Sequence, residues 1–206
     1  MRVLIGCECS GRVRRAFRGR GHGAWSCDLK PAEDASLYHY MGDVMKVIGD
    51  GRWDLIILHP DCTAMAVSGN RWYGKGMPYH QKRLEAVEWT MALWDKACRH
   101  CPRVALENPA SVFFTALRES HPETDVQYIQ PHEYGHPQFK KTGLALHGLS
   151  RLKPTDPLKV PEKGTPEHWE WQKVFRMAPS ESRGADRSVT FLGIADAMGE
   201  QWSVEP

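Results

Sequence analysis

The 206-residue sequence contains no apolar run that approaches the roughly 20 residues a helix needs to span a membrane. Its first residues, MRVLIG, lack the longer apolar core and the small-residue cleavage site of a signal peptide. These two absences predict a cytoplasmic protein without a membrane partner. The length suits one domain with a full core, or one domain with a small appendage.

A complete metal-binding cysteine motif is also missing. Of the six cysteines, Cys98 and Cys101 have the spacing of a ligand pair, but no second pair or HxxxH sequence completes a tetrahedral site. We therefore predict that the protein holds no metal. Because no secretion signal is present, we expect reduced thiols rather than a disulfide framework.

The sequence has little excess charge of either sign, and its formal net charge of +2 does not by itself indicate a nucleic-acid partner. The distribution of charge is more informative. Arg71, Lys75 and two further basic residues follow Cys62 closely and are interleaved with tryptophan and tyrosine. Such a loop favours contact with phosphates and bases. The arginines within residues 12–20 are interpreted as a solvated helix face.

Short runs of β-forming residues alternate with helical patterns over the first two thirds of the chain. Strands are predicted at residues 3–7, 23–27, 55–58, 103–106, 126–129 and 143–147. Helices are predicted at residues 11–19, with Ser10 as N-cap, and at 81–98, and helical patterning returns at 189–202. This order predicts an α/β fold with a mostly parallel, doubly wound sheet, whose last two strands pair.

The composition changes after the last predicted strand. Residues 149–187 contain five prolines and several aromatic residues, which predicts a small, loop-rich insertion. We divide the chain into a catalytic core (residues 1–148), this insertion (149–187) and a C-terminal helix that packs back on the core (188–206).

Cys62 occupies the most informative position in the sequence. The buried strand at residues 55–58 runs into His59-Pro60, and the chain turns there because proline cannot donate to a sheet. Ligands of open α/β sheets bind at the carboxyl ends of the strands. We therefore expect Cys62 at the rim of an active-site cleft, followed by a flexible segment.

Polar residues also end the first two strands. Ser10-Gly11 forms a turn that opens a helix and suits close approach of a ligand, although the GxGxxG sequence is absent. Asp28 ends the second strand, where doubly wound folds hold a ribose, and Asp43 adds a carboxylate at the same edge. Either acid could simply cap a helix. Together with the turn, they suggest a nucleoside-bearing cofactor.

Glu107 ends the strand expected beside that of Cys62. A thiolate can add to an electron-poor ring carbon, while a protonated glutamic acid donates to a ring nitrogen and draws electron density away. Glu107 could instead cap a helix that starts near Ala110, but this would leave its pairing with Cys62 unexplained. The pair favours nucleophilic chemistry on a ring.

The order of these motifs resembles that of the DNA cytosine-5 methyltransferases, and more narrowly their compact phage and prophage members. The motifs are Cys62 with Ala64, Ser68 and Gly69; Glu107-Asn108-Pro109; Gly135-His136-Pro137-Gln138; and, more weakly, Ser10-Gly11, Asp28 and Gly42-Asp43. The resemblance extends to about residue 146, and residues 189–202 resemble the closing helix of the family. It implies the Rossmann-like fold of class I S-adenosylmethionine-dependent methyltransferases.

The resemblance also implies a role for each motif residue. Cys62 would attack C6 of cytosine, Glu107 would hold the ring at N3 and the exocyclic amine, and C5 would receive a methyl group from S-adenosyl-L-methionine. Lys140 would supply the positive charge of the site. The implied cofactor-binding residues are Glu8, Ser10, Gly11, Asp28, Asp43 and Pro60. The implied nucleic-acid contacts are Ser68, Arg71, Lys75 and Gln138, with the cytosine flipped out of DNA and residues 69–76 closing over it as a mobile loop.

The sequence departs from the family pattern in several places. Asp61 replaces the proline before the nucleophile and puts an anion beside a thiol that must ionise, which predicts a raised thiol pKa. Arg12 replaces a motif glycine, and Lys140 stands in for an arginine. The target-recognition region is reduced to residues 149–187, so that a dimer or a partner protein could supply recognition surface.

The predicted function is methylation of cytosine C5 in DNA with loose or short-context specificity, in the cytoplasm of a bacterial host if the chain is encoded by a phage or prophage. A second hypothesis keeps the chemistry of Cys62 and Glu107 but moves it to a nucleotide, single-stranded DNA or RNA. A third is a catalytically weak remnant that binds DNA or protein, such as an anti-restriction decoy, which Asp61 and Arg12 motivate.

Overall fold

The computed structural model of the protein describes residues 1–172 and 189–204. In chain order its strands and helices are β1 (Arg2–Gly6), α1 (Arg12–Arg18), β2 (Gly23–Asp28), β3 (His39–Met41), α2 (Val44–Asp50), β4 (Leu55–Leu58), α3 (Asn70–Tyr73), α4 (His80–His100), β5 (Val104–Pro109), α5 (Phe113–Ser120), β6 (Asp125–Ile129), β7 (Thr142–His147), α6 (Pro166–Glu170) and α7 (Leu192–Gln201). Short 3₁₀ turns lie at Val67–Gly69 and Pro131–Glu133. Among the described helices, none is both long and apolar enough to cross a membrane.

The seven strands form one sheet in the order β3-β2-β1-β4-β5-β7-β6. β1 to β5 are parallel to one another, whereas β7 runs antiparallel to both β5 and β6. The predicted mostly parallel sheet is confirmed, and the last two strands pair as predicted. Because the chain crosses over between parallel strands, the carboxyl ends of β1, β2, β4 and β5 meet along one edge.

Helices cover both faces of the sheet, which explains why β4 is apolar along its whole length. On one face α1 packs against α7 through residues such as Phe17, Ala197 and Met198. The other face is covered by α2, α4 and α5, with Trp94 and Phe113 in its core. Two apolar layers therefore hold the strand ends in fixed positions.

One predicted helix feature is wrong, since the N-cap of α1 is Gly11, with a φ of +69°, rather than Ser10. Along α4 Leu84 is half exposed, and the buried side carries Leu93, Trp94 and Ala97. The sequence pattern does not predict α2, because a helix of seven residues contains barely two turns of periodicity. The helix considered near Ala110 begins at Phe113, as α5.

Residues 149–172 of the predicted insertion contain α6 but are otherwise without regular structure. They are anchored by Leu152 and Trp171, both buried, and by an isolated bridge between Tyr134 and Asp156. The remaining part of the predicted insertion, residues 173–187, lies outside the described residues.

Candidate active site

The chain turns sharply after β4 and brings Cys62 to the edge of the sheet. The carbonyl of Cys62 accepts hydrogen bonds from the backbone N–H groups of Met65 (3.1 Å) and Ala66 (2.8 Å), which close the turn. The exposed Asp61 side chain accepts from the backbone N–H of Thr63 (3.0 Å) and from its hydroxyl (2.7 Å). The Asp61 side chain therefore forms an Asx turn that shapes the loop of Cys62.

The environment of Cys62 disfavours its thiolate. Burial is the largest cause, followed by the negative charges of Glu107 and Asp61, and together they raise the pKa of the Cys62 thiol to about 11 even though Lys140 acts in the opposite direction. The predicted effect of Asp61 therefore has the right sign, but burial and Glu107 contribute more. At neutral pH Cys62 is a thiol, so attack on a substrate requires removal of its proton.

Glu107 and Asn108 lie at the end of β5, beside the β4 turn. Leu106 pairs with Leu58, and this register places Glu107 next to His59. The imidazole Nδ1 lies 3.2 Å from Glu107 Oε2, and both side chains are buried. Asn108 donates to the carbonyl of Pro60 over 3.1 Å and so ties the nucleophile turn to β5.

The charge state of Glu107 differs from the protonated acid expected from the sequence. Burial acts to raise the pKa of Glu107, but the hydrogen bond from His59 and the positive charge of Lys140 outweigh it and hold the pKa below its usual range. Glu107 is therefore a carboxylate before substrate binds. It can take up a proton but has none to donate.

Lys140 reaches the same site from the segment before β7. Its backbone N–H donates to Gln130 Oε1 over 3.0 Å, and its Nζ lies 5.7 Å from the centre of the Phe191 ring. The side chain is buried, and its charge acts on both Cys62 and Glu107. The structure thus brings the three predicted catalytic residues into one electrostatic neighbourhood.

The segment of Gly135 to Gln138 links this site to α7. The backbone N–H of Gly193 donates to His136 Nε2 over 2.9 Å, and the His136 and Phe191 rings pack at a tilt of 50° with centres 5.1 Å apart. Gln138 is partly exposed beside this contact. The segment that leads to Lys140 is therefore held in place by contacts with the start of α7.

The predicted cofactor edge begins with the loop after β1. Cys7 has a φ of +59°, a left-handed conformation that is uncommon for a residue with a side chain and often marks a functional loop. Ser10 donates to Glu8 Oε1 over 2.6 Å, while Glu8 Oε2 is buried and has no hydrogen-bond partner within the described ranges. Gly11 adopts the second left-handed conformation of the loop. In addition, a Cβ at Gly11 would lie 2.4 Å from Arg14 Nη2.

Asp28 and Asp43 follow β2 and β3 at the same edge. Asp28 is half-buried and accepts from the backbone N–H of Lys30 over 2.9 Å. Asp43 is exposed and caps α2 by accepting from the backbone N–H of Met45 over 2.9 Å. Both acids therefore have a local hydrogen-bonding role, and each keeps a carboxylate oxygen for a ligand.

Comparison with known proteins gives structural matches only. No protein-family model and no curated protein matches the sequence. Among solved structures, the Entamoeba histolytica methyltransferase EhMeth matches with a TM-score of 0.54 and 10% identity, over 78% of this chain and 58% of that chain. This chain has the Rossmann-like fold of class I methyltransferases.

Two further solved structures with this methyltransferase fold match less well. The S. pombe Dnmt2 methyltransferase gives a TM-score of 0.48 at 14% identity, over 87% of this chain and 56% of that chain. An E. coli prophage-encoded chain, described as a DNA modification methyltransferase, gives 0.47 at 14% identity, over 78% of this chain and 53% of that chain. The chain therefore spans little more than half the length of these solved structures.

Beyond the nucleophile, the methyltransferase fold carries a basic and aromatic segment. Residues 69–76 contain the short helix α3, so the stretch expected as a mobile loop is partly helical. Arg71, Lys75 and Ser68 are exposed, and the Arg71 guanidinium lies 5.1 Å from the ring centre of Trp72, which is half exposed. We name residues 67–82 the aromatic flap.

Sequence reasoning missed the roles of three residues that build the site. His59 holds Glu107, Asn108 holds Pro60, and the buried Arg83 binds the carbonyls of Ala64 and Ala66. The sequence pattern assigns His59 only to a turn, although its place between a buried strand and the nucleophile is a usable signal. Arg83 gives no such signal, because a basic residue at the start of a helix usually faces solvent.

Proposed function

We propose that this protein methylates cytosine at C5 in DNA, using S-adenosyl-L-methionine as methyl donor and a covalent adduct on Cys62. The observation that carries this proposal is that the charges of Glu107 and Lys140 both act on Cys62. Cys62 follows β4 and Glu107 lies near the end of the adjacent strand β5, in a methyltransferase fold. The fold is shared by methyltransferases of many substrates. This thiol and carboxylate pair narrows the choice to a ring that accepts a nucleophile.

The chemistry begins with the Cys62 proton. As Cys62 loses this proton, its sulfur forms a bond to cytosine C6, and the C5–C6 electron pair moves toward C5. Glu107 would hold N3 and the exocyclic amine and, once it has taken up a proton, deliver that proton to N3, which draws electron density from the ring. Lys140 stabilises the thiolate. After C5 gains the methyl group, a base removes the C5 proton and the C6–S bond breaks to release Cys62.

The residues at the cofactor edge fit S-adenosyl-L-methionine. Glu8 Oε2, which is buried and has no hydrogen-bond partner among the residues that the structure describes, and the half-buried Asp28 carboxylate offer acceptors for the donor groups of the amino acid and the ribose. Asp43 would accept from the adenine amine, and the backbone of the Ser10-Gly11 turn and Pro60 would contact the ligand. When bound, the cofactor supplies an electrophilic methyl group.

The aromatic flap supports a nucleic-acid substrate. Its exposed arginine and lysines suit phosphates, and the half-exposed Trp72 offers a stacking face. Ser68 precedes the flap helix, and Gln138 lies on the segment that leads to Lys140. These four polar residues, Ser68, Arg71, Lys75 and Gln138, are the proposed contacts to DNA around a flipped cytosine.

A second candidate function is the same reaction on single-stranded DNA or RNA. The specific observation in its favour is the pairing of exposed aromatic rings with cations, since Lys82 Nζ also lies 5.0 Å from the centre of the half-exposed Tyr79 ring. Stacking faces of this kind bind unpaired bases. We also propose that the chain belongs with the compact phage and prophage cytosine-5 methyltransferases, and such membership would suit a double-stranded or a single-stranded substrate.

Transfer of label from S-adenosylmethionine tests the proposal. Duplex DNA, single-stranded DNA, RNA and dCMP are incubated in parallel with the wild-type protein, with Cys62→Ser and with Cys98→Ser as the matched control. We expect label in duplex DNA from the wild type and from Cys98→Ser but not from Cys62→Ser. Label only in another acceptor supports the second candidate, and absence of label from all four refutes both.

A trapping experiment tests the covalent step. DNA that contains 5-fluorocytosine holds the adduct, because the fluorine cannot be removed as a proton. We expect a covalent complex with the wild type that is absent with Cys62→Ala. A complex that persists with Cys62→Ala would show that another group is the nucleophile.

A further inference from the structure

His59 carries a polar atom that the described fold does not use. Its Nδ1 is paired with Glu107 over 3.2 Å, and its side chain is 7% exposed. Its Nε2 is buried and has no hydrogen-bond partner in the part of the chain that the structure describes. Since Glu107 is a carboxylate, it can only accept, and the shared proton must therefore be on Nδ1.

Glu107 is surrounded by charged or polar groups from every neighbouring element. His59 approaches from the end of β4, Cys62 from the loop that follows, and Lys140 and Thr142 from the segment that begins β7. A buried carboxylate survives ionised only where such groups offset the loss of water. Of these groups, His59 makes the hydrogen bond with the greatest effect on Glu107.

We propose that His59 is a positioning residue whose Nδ1–H bond keeps Glu107 ionised before substrate binds, so that Glu107 can receive the proton of the Cys62 thiol at the moment of attack. This inference rests on the proposed function and adds the route of one proton to it.

The proton route balances without any further reactant. The Cys62 S–H bond breaks, its proton moves to the Glu107 carboxylate, and the sulfur electron pair forms the bond to C6. Glu107, now a neutral acid, donates that proton to N3 and returns to a carboxylate. On release of the product, the proton leaves N3 and returns to the Cys62 sulfur through Glu107. His59 keeps its own proton throughout.

The test measures the reactivity of the Cys62 thiol, for which neither DNA nor a methyl donor is needed. Alkylation of the Cys62 peptide by iodoacetamide is followed by mass spectrometry in the wild type, His59→Leu, His59→Asn, Glu107→Gln and the double variant His59→Leu/Glu107→Gln. Asparagine retains an N–H close to the Nδ1 position, and leucine retains none. The buried Cys27 is an internal control for unfolding.

We expect His59→Leu and Glu107→Gln to alkylate Cys62 faster at pH 8, by about threefold or more for each unit fall in the thiol pKa. Without the His59 bond, burial raises the pKa of Glu107, the carboxyl becomes neutral, and its charge no longer disfavours the thiolate. His59→Asn should react like the wild type, and the double variant should react no faster than either single variant.

Two outcomes overturn the proposal. In the first, Cys62 of His59→Leu is alkylated at the wild-type rate, whereas Cys62 of Glu107→Gln is alkylated faster. In the second, Cys62 is alkylated at equal rates in His59→Asn and His59→Leu. Alkylation of Cys27 in His59→Leu would show that this variant has unfolded. In that case His59→Gln is used instead of His59→Leu, because the longer glutamine side chain fills the site but moves the N–H donor away from the Nδ1 position.

Methyl transfer gives a separate arm. The acid limb of kcat/KM should move to higher pH in His59→Leu and stay in place in His59→Asn, because Glu107 must be ionised to accept the thiol proton. Unchanged limbs in both variants would refute the proton route. Absence of transfer in the wild type would refute the proposed function, while the alkylation rates still decide whether His59 controls Glu107.

Discussion

Replacing Arg83 by methionine should loosen the loop that presents Cys62. The guanidinium donates to the carbonyl of Ala64 (2.7 Å), the carbonyl of Ala66 (3.2 Å) and the side-chain oxygen of Asn70 (2.7 Å). Arg83 lies in the first turn of α4, where the helix dipole disfavours a positive charge, so its hydrogen bonds must overcome that cost. Methionine keeps the apolar stem and removes all three donors.

The magnitude follows from these bonds. A hydrogen bond from a charged donor contributes about 1.5–3 kcal/mol. Because the loop carbonyls regain water once the loop opens, we expect the free energy of unfolding to fall by about 3 kcal/mol rather than by the full sum. Urea denaturation followed by fluorescence gives this value, and limited proteolysis should show new cleavage within the aromatic flap.

Arg71→Met is the matched control, because Arg71 is exposed and contacts mainly the Trp72 ring. Its effect on the free energy of unfolding should stay within about 0.5 kcal/mol. A loss below about 1 kcal/mol in Arg83→Met, with no new cleavage in the flap, would refute the view that one buried guanidinium holds the nucleophile loop to α4.

Three more predictions concern stability and binding. Burial opposes the shift, but hydrogen bonds from Arg14 and Arg15 lower the pKa of Asp34 to about 2. Because Asp34 is exposed and water screens its ion pairs, the folded state should gain only about 1 kcal/mol above the unfolded pKa and lose it as the pH falls toward 2; urea denaturation at several pH values should show this loss in the wild type and not in Asp34→Asn. Gly143→Ala should destabilise the fold by about 1–3 kcal/mol, because its Cβ would lie 2.4 Å from the Phe114 ring; a thermal melt unchanged from the wild type would contradict this contact. Trp72→Ala should weaken binding of single-stranded oligonucleotides by about fivefold to a hundredfold through lost stacking while leaving the melting temperature unchanged, and fluorescence anisotropy that shows equal affinity would exclude Trp72 from the interface.

The sheet could be predicted from the sequence because its central strands are buried on both faces. The four residues of β4 have 0% exposure, and a short, continuous run of β-branched and leucine residues is typical of a strand in this position. The position of Cys62 followed from the proline after that strand. The pairing of β6 with β7 could be predicted as well, since both segments are β-forming and close in sequence, but the antiparallel direction of β7 was not part of that prediction.

The chemistry of the site could be predicted only in part. Sequence order places Glu107 at a strand end but does not show that His59 faces it, because that contact depends on the register of β4 against β5. The charge of Glu107 depends on burial, His59 and Lys140 together, and these come from three separate parts of the chain. Arg83 acts on carbonyl groups 17 and 19 residues away, which no local pattern can reveal.

The antiparallel β7 has a consequence for the order in which the protein assembles. In the described sheet β6 pairs with β7 and with no other strand, and β7 in turn separates it from β5. While the chain emerges from the ribosome, β6 therefore has no place in the sheet until β7 has been made and the two have joined as a hairpin. Lys140 lies in the connection between them and reaches Glu107 only when this hairpin docks on β5. Cys62 and Glu107 are thus made early, whereas Lys140, whose charge acts on both, arrives late in synthesis. A chain truncated before Lys140 would hold the thiol and the carboxylate without this positive charge.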